Sequence, residues 1–225
     1  MSQPIASSET DRRKLAAARK ALEFIRPGET LGVGSGSTVN FFIGLLAEHK
    51  GSIPAVVAAS TASEQRLREA GLQVISMEGV ASLGVYVDGA DEIDPSLRMI
   101  KGGGAALTRE KIIAQAADSF VCVVDASKRV ERLGRFPLPI EVIPFARASV
   151  IRRLESMGGA PVVRPNVHTD NGNLIIDVTG LDFGSPEALE ERLNQIPGVV
   201  CNGVFARRAA DVCITAGEDV TVDVR

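Results

Sequence analysis

The feature that most constrains the fold of this chain is the alternation of short apolar runs with helix-forming segments through its first half. The apolar runs predict strands at 30–33, 55–59, 72–76, 84–88 and 120–125. Helix-forming residues at helical spacing predict helices at 11–26, 38–46, 63–70 and 107–117. Strands that are apolar on both faces need cover on both sides, so the alternation predicts an α/β fold with a doubly wound, mostly parallel sheet.

The pattern changes after Gly134. The predicted order is a strand at 139–144, a helix at 147–158, a strand at 160–165, a hairpin within 168–178, a helix at 186–196 and a strand at 199–205. The pair Asn171-Gly172 predicts the two-residue turn of that hairpin. The order β-α-β-β-α-β is typical of a ferredoxin-like α+β domain.

A last apolar run at 210–215 is predicted to return to the first sheet. We therefore predict a doubly wound domain of residues 1–133 plus 206–225, interrupted by a smaller inserted domain of residues 134–205.

Composition excludes several classes of protein. Of the 225 residues, 45% are hydrophobic and 24% are charged, as in ordinary globular proteins, and no apolar run is long enough to span a bilayer. The N-terminal segment lacks the apolar core of an export signal, so a cytoplasmic location is expected. A net charge of −3 without a basic run argues against a nucleic-acid partner, and three cysteines without a CxxC pair indicate neither disulfides nor a metal site.

The first candidate site is the glycine-rich segment 32–38, GVGSGST, between a predicted strand and a predicted helix. Backbone N–H groups at a helix N-terminus favour a phosphate, and Ser35, Ser37 and Thr38 add hydroxyl donors. The dinucleotide-binding pattern is incomplete, because its third glycine would fall at Ser37. A tight turn with a serine cap is an equally good interpretation of this segment alone.

The second candidate is DGADEID at 88–94, which places four carboxylates directly after an apolar strand. Ligands of open α/β sheets bind beyond the carboxyl ends of the strands, where Asp88 and Asp91 are predicted to lie. A metal site and a solvated acidic turn are the alternatives for this segment.

The third candidate is KGGGAALTREK at 101–111, where three glycines after Lys101 could direct their amides at an anion. Glu110 falls early in the next predicted helix, where an isolated glutamate is more often exposed to solvent. Lys128 follows a strand. Because His49 and His168 lie outside all three segments, a carboxylate is the better candidate for a general base.

The segments GVGSGSTVN, VDGADEID and KGGGAALTREKI, in this order, resemble the ribose-5-phosphate isomerase A family. The resemblance continues through VDASK, FPLPIEV, TDNGN and IPGVV and so covers nearly the whole chain. It departs at Ser35, where the family usually has threonine; serine keeps the hydroxyl, so its contact is expected to persist.

The resemblance implies an aldose–ketose isomerase that needs no metal or organic cofactor, takes a phosphosugar as substrate and forms a homodimer. It implies that Glu110 is the base, that Lys101 and the amides of Gly102, Gly103 and Gly104 stabilise the enediolate, and that Asp88 and Asp91 bind hydroxyls and assist ring opening. The remaining residues implied to bind substrate are Ser35, Gly36, Ser37, Thr38, Gly89, Ala90, Lys128 and Lys14.

Two other functions remain compatible with a fold of this kind. A sugar-phosphate-sensing domain would bind without turnover, but such regulators carry an added DNA-binding segment, for which about ten polar residues before the first helix leave no room. A nicotinamide-dependent dehydrogenase would need an acidic residue about 20 positions after the glycine motif, and the strand segment AVVAAS has none.

Overall fold

The computed structural model describes residues 8–225. The expectation about an N-terminal export signal falls in part on residues 1–7, which lie outside the described residues. Six α-helices are found in the described part of the chain: α1 (Glu9–Ala21), α2 (Ser37–Leu46), α3 (Thr61–Glu69), α4 (Leu107–Ala116), α5 (Arg147–Ser156) and α6 (Pro186–Asn194). Its strands are β1 (Leu31–Val33), β2 (Val56–Ala58), β3 (Leu83–Asp88), β4 (Glu92–Ile93), β5 (Met99–Ile100), β6 (Ala117–Asp125), β7 (Leu138–Val142), β8 (Ala160–Val163), β9 (Leu174–Thr179), β10 (Val199–Asn202), β11 (Val204–Phe205), β12 (Val212–Ala216) and β13 (Val220–Val224).

The chain divides into two compact units. Unit 1 contains the described residues up to Gly89 together with Arg109–Lys128 and Ala210–Arg225, and unit 2 contains Ala90–Thr108 and Arg129–Ala209. The division predicted from the sequence differs mainly at residues 90–108. These residues belong to unit 2 because β4 and β5 form a small antiparallel sheet with β11.

Unit 1 is built on a six-stranded sheet in the order β13-β12-β6-β3-β1-β2. The five strands from β12 to β2 are parallel, and β13 is an antiparallel edge strand that the sequence analysis missed. Successive residues of β3 alternate between the two faces of the sheet. Val85 and Val87 join an apolar cluster with Ala17 of α1 and Phe42 of α2. The predicted α/β fold and the return of 210–215 to this sheet are confirmed.

Unit 2 contains a four-stranded antiparallel sheet in the order β10-β7-β9-β8. Along the chain its elements follow as β7-α5-β8-β9-α6-β10, so the predicted ferredoxin-like order is confirmed. One face of the sheet packs on the two helices through a buried cluster that includes Ile140, Ile176, Leu154 and Leu193.

Two local predictions are wrong. The segment 72–76 is not a strand: it forms one isolated bridge, from Val74 to Val56. The pair Asn171-Gly172 does not close a two-residue hairpin, because β8 and β9 are joined by the longer loop 164–173. Gly172 has a positive φ of 78°, but Asn171 does not. The side chain of Asn171 instead donates to the buried carboxylate of Glu141.

The predicted strand 199–205 is split between β10 and β11, which belong to different sheets. Gly203 separates them, and its N–H donates to the carbonyl of Pro139. Over residues 8–225, no helix has both the length and the apolar character needed to cross a membrane.

Candidate active site

The first glycine-rich segment connects β1 to α2 in unit 1 and is held closely against β3. The N–H of Gly34 donates to the carbonyl of Val87 at 2.9 Å, and the Ser63 hydroxyl donates to the carbonyl of Gly34 at 2.7 Å. A Cβ added to Gly34 would lie 1.9 Å from Cγ of Asp88. Only glycine allows the backbone to approach the aspartate this closely.

Asp88 ends β3 and is fully buried. Its Oδ1 accepts the N–H of Ser35 at 3.0 Å and that of Gly89 at 2.7 Å, while its Oδ2 accepts the hydroxyl of Tyr86. These three donors compensate the carboxylate for its loss of water. The predicted site residue therefore anchors the first glycine-rich segment to the end of its neighbouring strand.

Tyr86 is a part of this site that the sequence analysis missed. It lies two residues before Asp88 on the same face of β3, and its ring is fully buried against Phe120. Burial, followed by the nearby carboxylates of Asp88 and Glu110, raises the pKa of the Tyr86 hydroxyl well above its ordinary value. The sequence feature that could have identified Tyr86 as a site residue is the spacing Tyr-x-Asp at the end of an apolar strand.

Glu110 lies in the first turn of α4 and is 4% exposed, so the expectation for an isolated surface glutamate does not apply to it. Its Oε1 accepts the hydroxyl of Ser35 at 2.7 Å. Ser35 therefore contacts both buried carboxylates, Asp88 through its backbone N–H and Glu110 through its side chain. The structure thus brings together Ser35, Asp88 and Glu110, which are far apart in the sequence.

Two predicted lysines of unit 1 lie at different positions around the sheet. Lys14 of α1 donates from Nζ to the Ser37 hydroxyl at 3.0 Å, which places a positive charge at the N-terminus of α2. Thr38 is buried in the first turn of that helix. Lys128 lies in the helical turn 126–128 that follows β6.

The second half of the acidic segment belongs to unit 2, where its carboxylates have separate partners. Asp91 follows Ala90, and its Oδ2 accepts the N–H of Gly103 at 2.8 Å. Glu92 accepts the N–H groups of Gly134 and Phe136, and Asp94 is paired with Arg98 at 2.7 Å. No group of three possible metal ligands is found among residues 8–225.

Lys101 and the second glycine-rich segment follow β5 in unit 2. The backbone N–H of Lys101 donates to the carbonyl of Gly203, and the side chain is only 3% exposed. Its Nζ lies 5.5 Å from the centre of the Phe205 ring, within range of a cation–π interaction. Gly103 and Gly104 are exposed, whereas Gly102 is buried. Unit 2 thus combines a buried cation with a glycine loop fixed by Asp91.

Comparison with known proteins identifies the relatives of the chain. A family model described as ribose 5-phosphate isomerase A (phosphoriboisomerase A) matches residues 55–220. A curated ribose-5-phosphate isomerase A of Acidithiobacillus ferrooxidans is 55% identical over 205 residues, which cover 91% of this chain and 94% of that relative.

Solved structures of similar proteins match in fold as well. The chain is similar to ribose 5-phosphate isomerase A from Neisseria gonorrhoeae, with a TM-score of 0.93, 44% identity and coverage of 98% of this chain and 99% of the other. A D-ribose-5-phosphate isomerase solved in complex with phospho-erythronic acid matches with a TM-score of 0.91, 40% identity and coverage of 96% and 99%.

Proposed function

The chain belongs to the ribose 5-phosphate isomerase A family and interconverts D-ribose 5-phosphate and D-ribulose 5-phosphate, and we propose that Glu110 is the base that moves the substrate proton. The reaction transfers a proton between C2 and C1 of the open-chain sugar through an enediolate. It therefore needs one base that can reach both carbons and donors where negative charge develops on oxygen.

The observation that carries this proposal is the position of Glu110. The side chain is nearly excluded from solvent and its Oε1 is held by the Ser35 hydroxyl at 2.7 Å, which fixes the orientation of the carboxylate. Exclusion of bulk water around the base also protects the enediolate from side reactions before the proton is returned to C1. Neither His49 nor His168 is hydrogen-bonded to this cluster.

Stabilisation of the negative charge on the enediolate is assigned to Lys101 and to the amides of Gly102, Gly103 and Gly104. Lys101 is buried, so its charge interacts with a substrate oxyanion in surroundings of low dielectric constant. Asp91 accepts the N–H of Gly103, so this amide contributes by fixing the loop, and Lys101 with the amides of Gly102 and Gly104 supplies the donors to the oxyanion. Donors that are fixed before the reaction stabilise the transition state without reorganising.

Asp88 and Asp91 have different tasks in this proposal. Asp88 is fully buried and accepts three hydrogen bonds, so its main contribution is to hold Ser35 and Gly89 in place. Asp91 is only half-buried and is better suited to bind substrate hydroxyls, to assist ring opening and to move the hydroxyl proton. Gly89 and Ala90, between the two aspartates, are assigned to contact the substrate through their backbone.

Substrate binding is assigned to the start of α2, through Ser35, Gly36, Ser37 and Thr38, with help from Lys14 and Lys128. The N-terminus of a ten-residue helix offers N–H groups and a partial positive charge to an anion, and Lys14 adds a full charge beside Ser37. The relative solved in complex with phospho-erythronic acid, a phosphorylated sugar acid, supports a phosphosugar as the substrate class.

The experiment that tests the proposed function is an isomerase assay of the purified protein with ribose 5-phosphate, with and without EDTA. We expect turnover without added metal and an unchanged rate after chelation. Loss of the rate on chelation and its recovery with a divalent ion would contradict the metal-free mechanism. Binding of ribose 5-phosphate without turnover would favour the sugar-phosphate-sensing alternative.

We also propose that the protein is a homodimer of the cytoplasm. The support is its membership of a family of metabolic enzymes that act in the non-oxidative pentose phosphate pathway. Light scattering coupled to size-exclusion chromatography should give a mass twice that of one chain. A mass equal to one chain would contradict the dimer.

A further inference from the structure

Arg164, which directly follows β8 in unit 2, has a role in neither the family resemblance nor the assignments above. Its Nε donates to Oδ2 of Asp177 at 2.8 Å and its Nη2 donates to Oδ1 of the same carboxylate at 2.6 Å. Such a two-point pair fixes both the position and the plane of the guanidinium. Asp177 therefore holds Arg164 in one orientation.

The remaining nitrogen of Arg164 contacts the second glycine-rich segment. Nη1 donates to the carbonyl of Gly102 at 3.1 Å and to that of Gly103 at 3.0 Å. The two carbonyls belong to the peptides on either side of the Gly103 Cα, so a single donor can reach both. The loop enters these peptides through Gly102, whose φ of 111° other residues rarely adopt. One guanidinium nitrogen thus fixes two consecutive peptide groups of the loop.

These contacts set the directions of the loop amides. In a planar trans peptide the N–H points opposite to the C=O, so the N–H groups of Gly103 and Gly104 point away from Arg164. The N–H of Gly103 meets Asp91, so the peptide between Gly102 and Gly103 is held at its carbonyl by Arg164 and at its N–H by an aspartate. The charge of Arg164 also polarises both peptides and makes their N–H groups stronger donors.

We propose that Arg164, oriented by Asp177, is a positioning residue for the isomerase reaction. It acts through the glycine loop and does not touch the substrate. Because Asp91 accepts the N–H of Gly103, the amide that Arg164 directs towards the developing oxyanion is that of Gly104. This inference rests on the proposed function of Gly102–Gly104 in enediolate stabilisation. Lysine cannot replace Arg164, because one ammonium group cannot bind a carboxylate at two points and also hold two carbonyls.

The test compares Arg164→Ala with Arg132→Ala, which removes another arginine of the same unit. Misdirected loop amides should lower kcat by about 10–100-fold, and KM should stay within about three-fold because the lost interaction belongs to the transition state. Millimolar guanidinium ion should restore part of kcat in Arg164→Ala, and Arg164→Lys should remain impaired. Arg132→Ala is the control, because Arg132 forms an exposed pair with Asp182 in the same unit at 3.0 Å. It should keep the parent kcat and show no response to guanidinium.

Hydrogen exchange of the amides in residues 101–105 provides a readout that does not depend on turnover. In folded Arg164→Ala these amides should exchange faster than in the parent, and addition of guanidinium should slow them again. Should Arg164→Ala not fold, Asp177→Asn provides the same comparison, with a smaller loss of kcat and partial loss of protection.

A parental kcat with parental loop exchange would overturn the proposal, and so would a loss confined to KM or a loss of kcat that guanidinium does not relieve. If the parent itself does not turn over ribose 5-phosphate, the proposed function fails, while the exchange measurement still decides whether Arg164 holds the loop.

Discussion

The two glycine-rich segments, 34–38 in unit 1 and 101–104 in unit 2, are fixed in similar ways but offer a ligand different chemistry. In each, an aspartate accepts one loop amide: Asp88 accepts that of Ser35, and Asp91 accepts that of Gly103. The first segment leads into α2, so it offers hydroxyl groups and the partial charge of a helix N-terminus. The second follows the buried cation Lys101, so it offers a full charge beside its amides.

In the function proposed above, this difference separates holding the substrate from stabilising charge during the reaction. A helix N-terminus interacts equally with a phosphate in the ground state and in the transition state, which is uniform binding. A buried full charge is most valuable where new charge appears, as on the enediolate oxygens. The same type of loop can therefore serve binding in one unit and chemistry in the other.

The largest expected effect comes from Glu110→Gln, which removes the proposed base but keeps an oxygen that can accept the Ser35 hydroxyl. Loss of a positioned general base should lower kcat by roughly 10²–10⁴, or about 3–5 kcal/mol of activation free energy. The measurement is kcat together with exchange of the substrate C2 proton with solvent. Glu155→Gln, on the exposed side of α5, is the control and should keep the parent rate. Turnover of Glu110→Gln within a few-fold of the parent would place the base elsewhere, at Asp88 or Asp91.

The next largest effect is expected for Lys101→Met, which removes the cation but keeps an unbranched side chain against Phe205. Loss of one charge-stabilising donor should lower kcat by about 10²–10³. Lys50→Met, at an exposed position of unit 1, is the control. Combined with Glu110→Gln, the loss should be less than additive, because both residues act on one transition state. A change in KM alone would assign Lys101 to binding and remove the contrast between the two loops.

A smaller effect distinguishes the packing of the two loops. The added Cβ of Gly34→Ala would collide with fully buried Asp88, and overpacking of this kind costs about 1–3 kcal/mol of the free energy of unfolding. In Gly103→Ala the nearest atom is Oδ1 of half-buried Asp91, at 2.6 Å, so we expect reduced kcat with little change in stability. Urea unfolding measures both, with Gly51→Ala as control because no atom lies within 4 Å of its added Cβ. Equal midpoints for Gly34→Ala and Gly51→Ala would contradict the tighter packing of the first loop.

The smallest effect is expected in the titration of Tyr86, which reports directly on the surroundings of Asp88 beside the first glycine-rich segment. It is the single tyrosine of a chain without tryptophan, so tyrosinate absorbance reports this residue alone. Its pKa is raised in the folded state by burial and by the carboxylates of Asp88 and Glu110. The native protein should therefore show no tyrosinate near pH ~10, where the unfolded chain titrates.

The sign of the stability effect follows from this raised pKa. The stabilisation by protonated Tyr86 is fully present below the unfolded pKa and is lost as pH rises through the folded pKa. Tyr86→Phe should lose this contribution to the alkaline fall in stability. Native absorbance that rises with the same midpoint as the urea-unfolded protein would show that Tyr86 is neither buried nor close to these carboxylates.

Two segments do not form the strand and the hairpin turn that their composition predicts. The segment 72–76 has the composition of a strand, but it lies beside the short edge strand β2 and pairs with it around Val56 alone. The pair Asn171-Gly172 has the composition of a hairpin turn, but the side chains of Asn171 and Asn173 donate to buried Glu141. In both cases contacts with distant residues overrode a correct local preference.

The sequence by itself determined the alternation of strands and helices, the ferredoxin-like order of the second half and the position of polar segments at strand ends, because side-chain periodicity and glycine content are local properties. Only the tertiary structure decided which of these polar groups meet. The Ser35 hydroxyl reaches Glu110, 75 residues away, and Arg164 reaches the carbonyl of Gly102, 62 residues away. Both contacts depend on how strands and loops pack in space, and the spacing of residues along the chain carries no information about that arrangement.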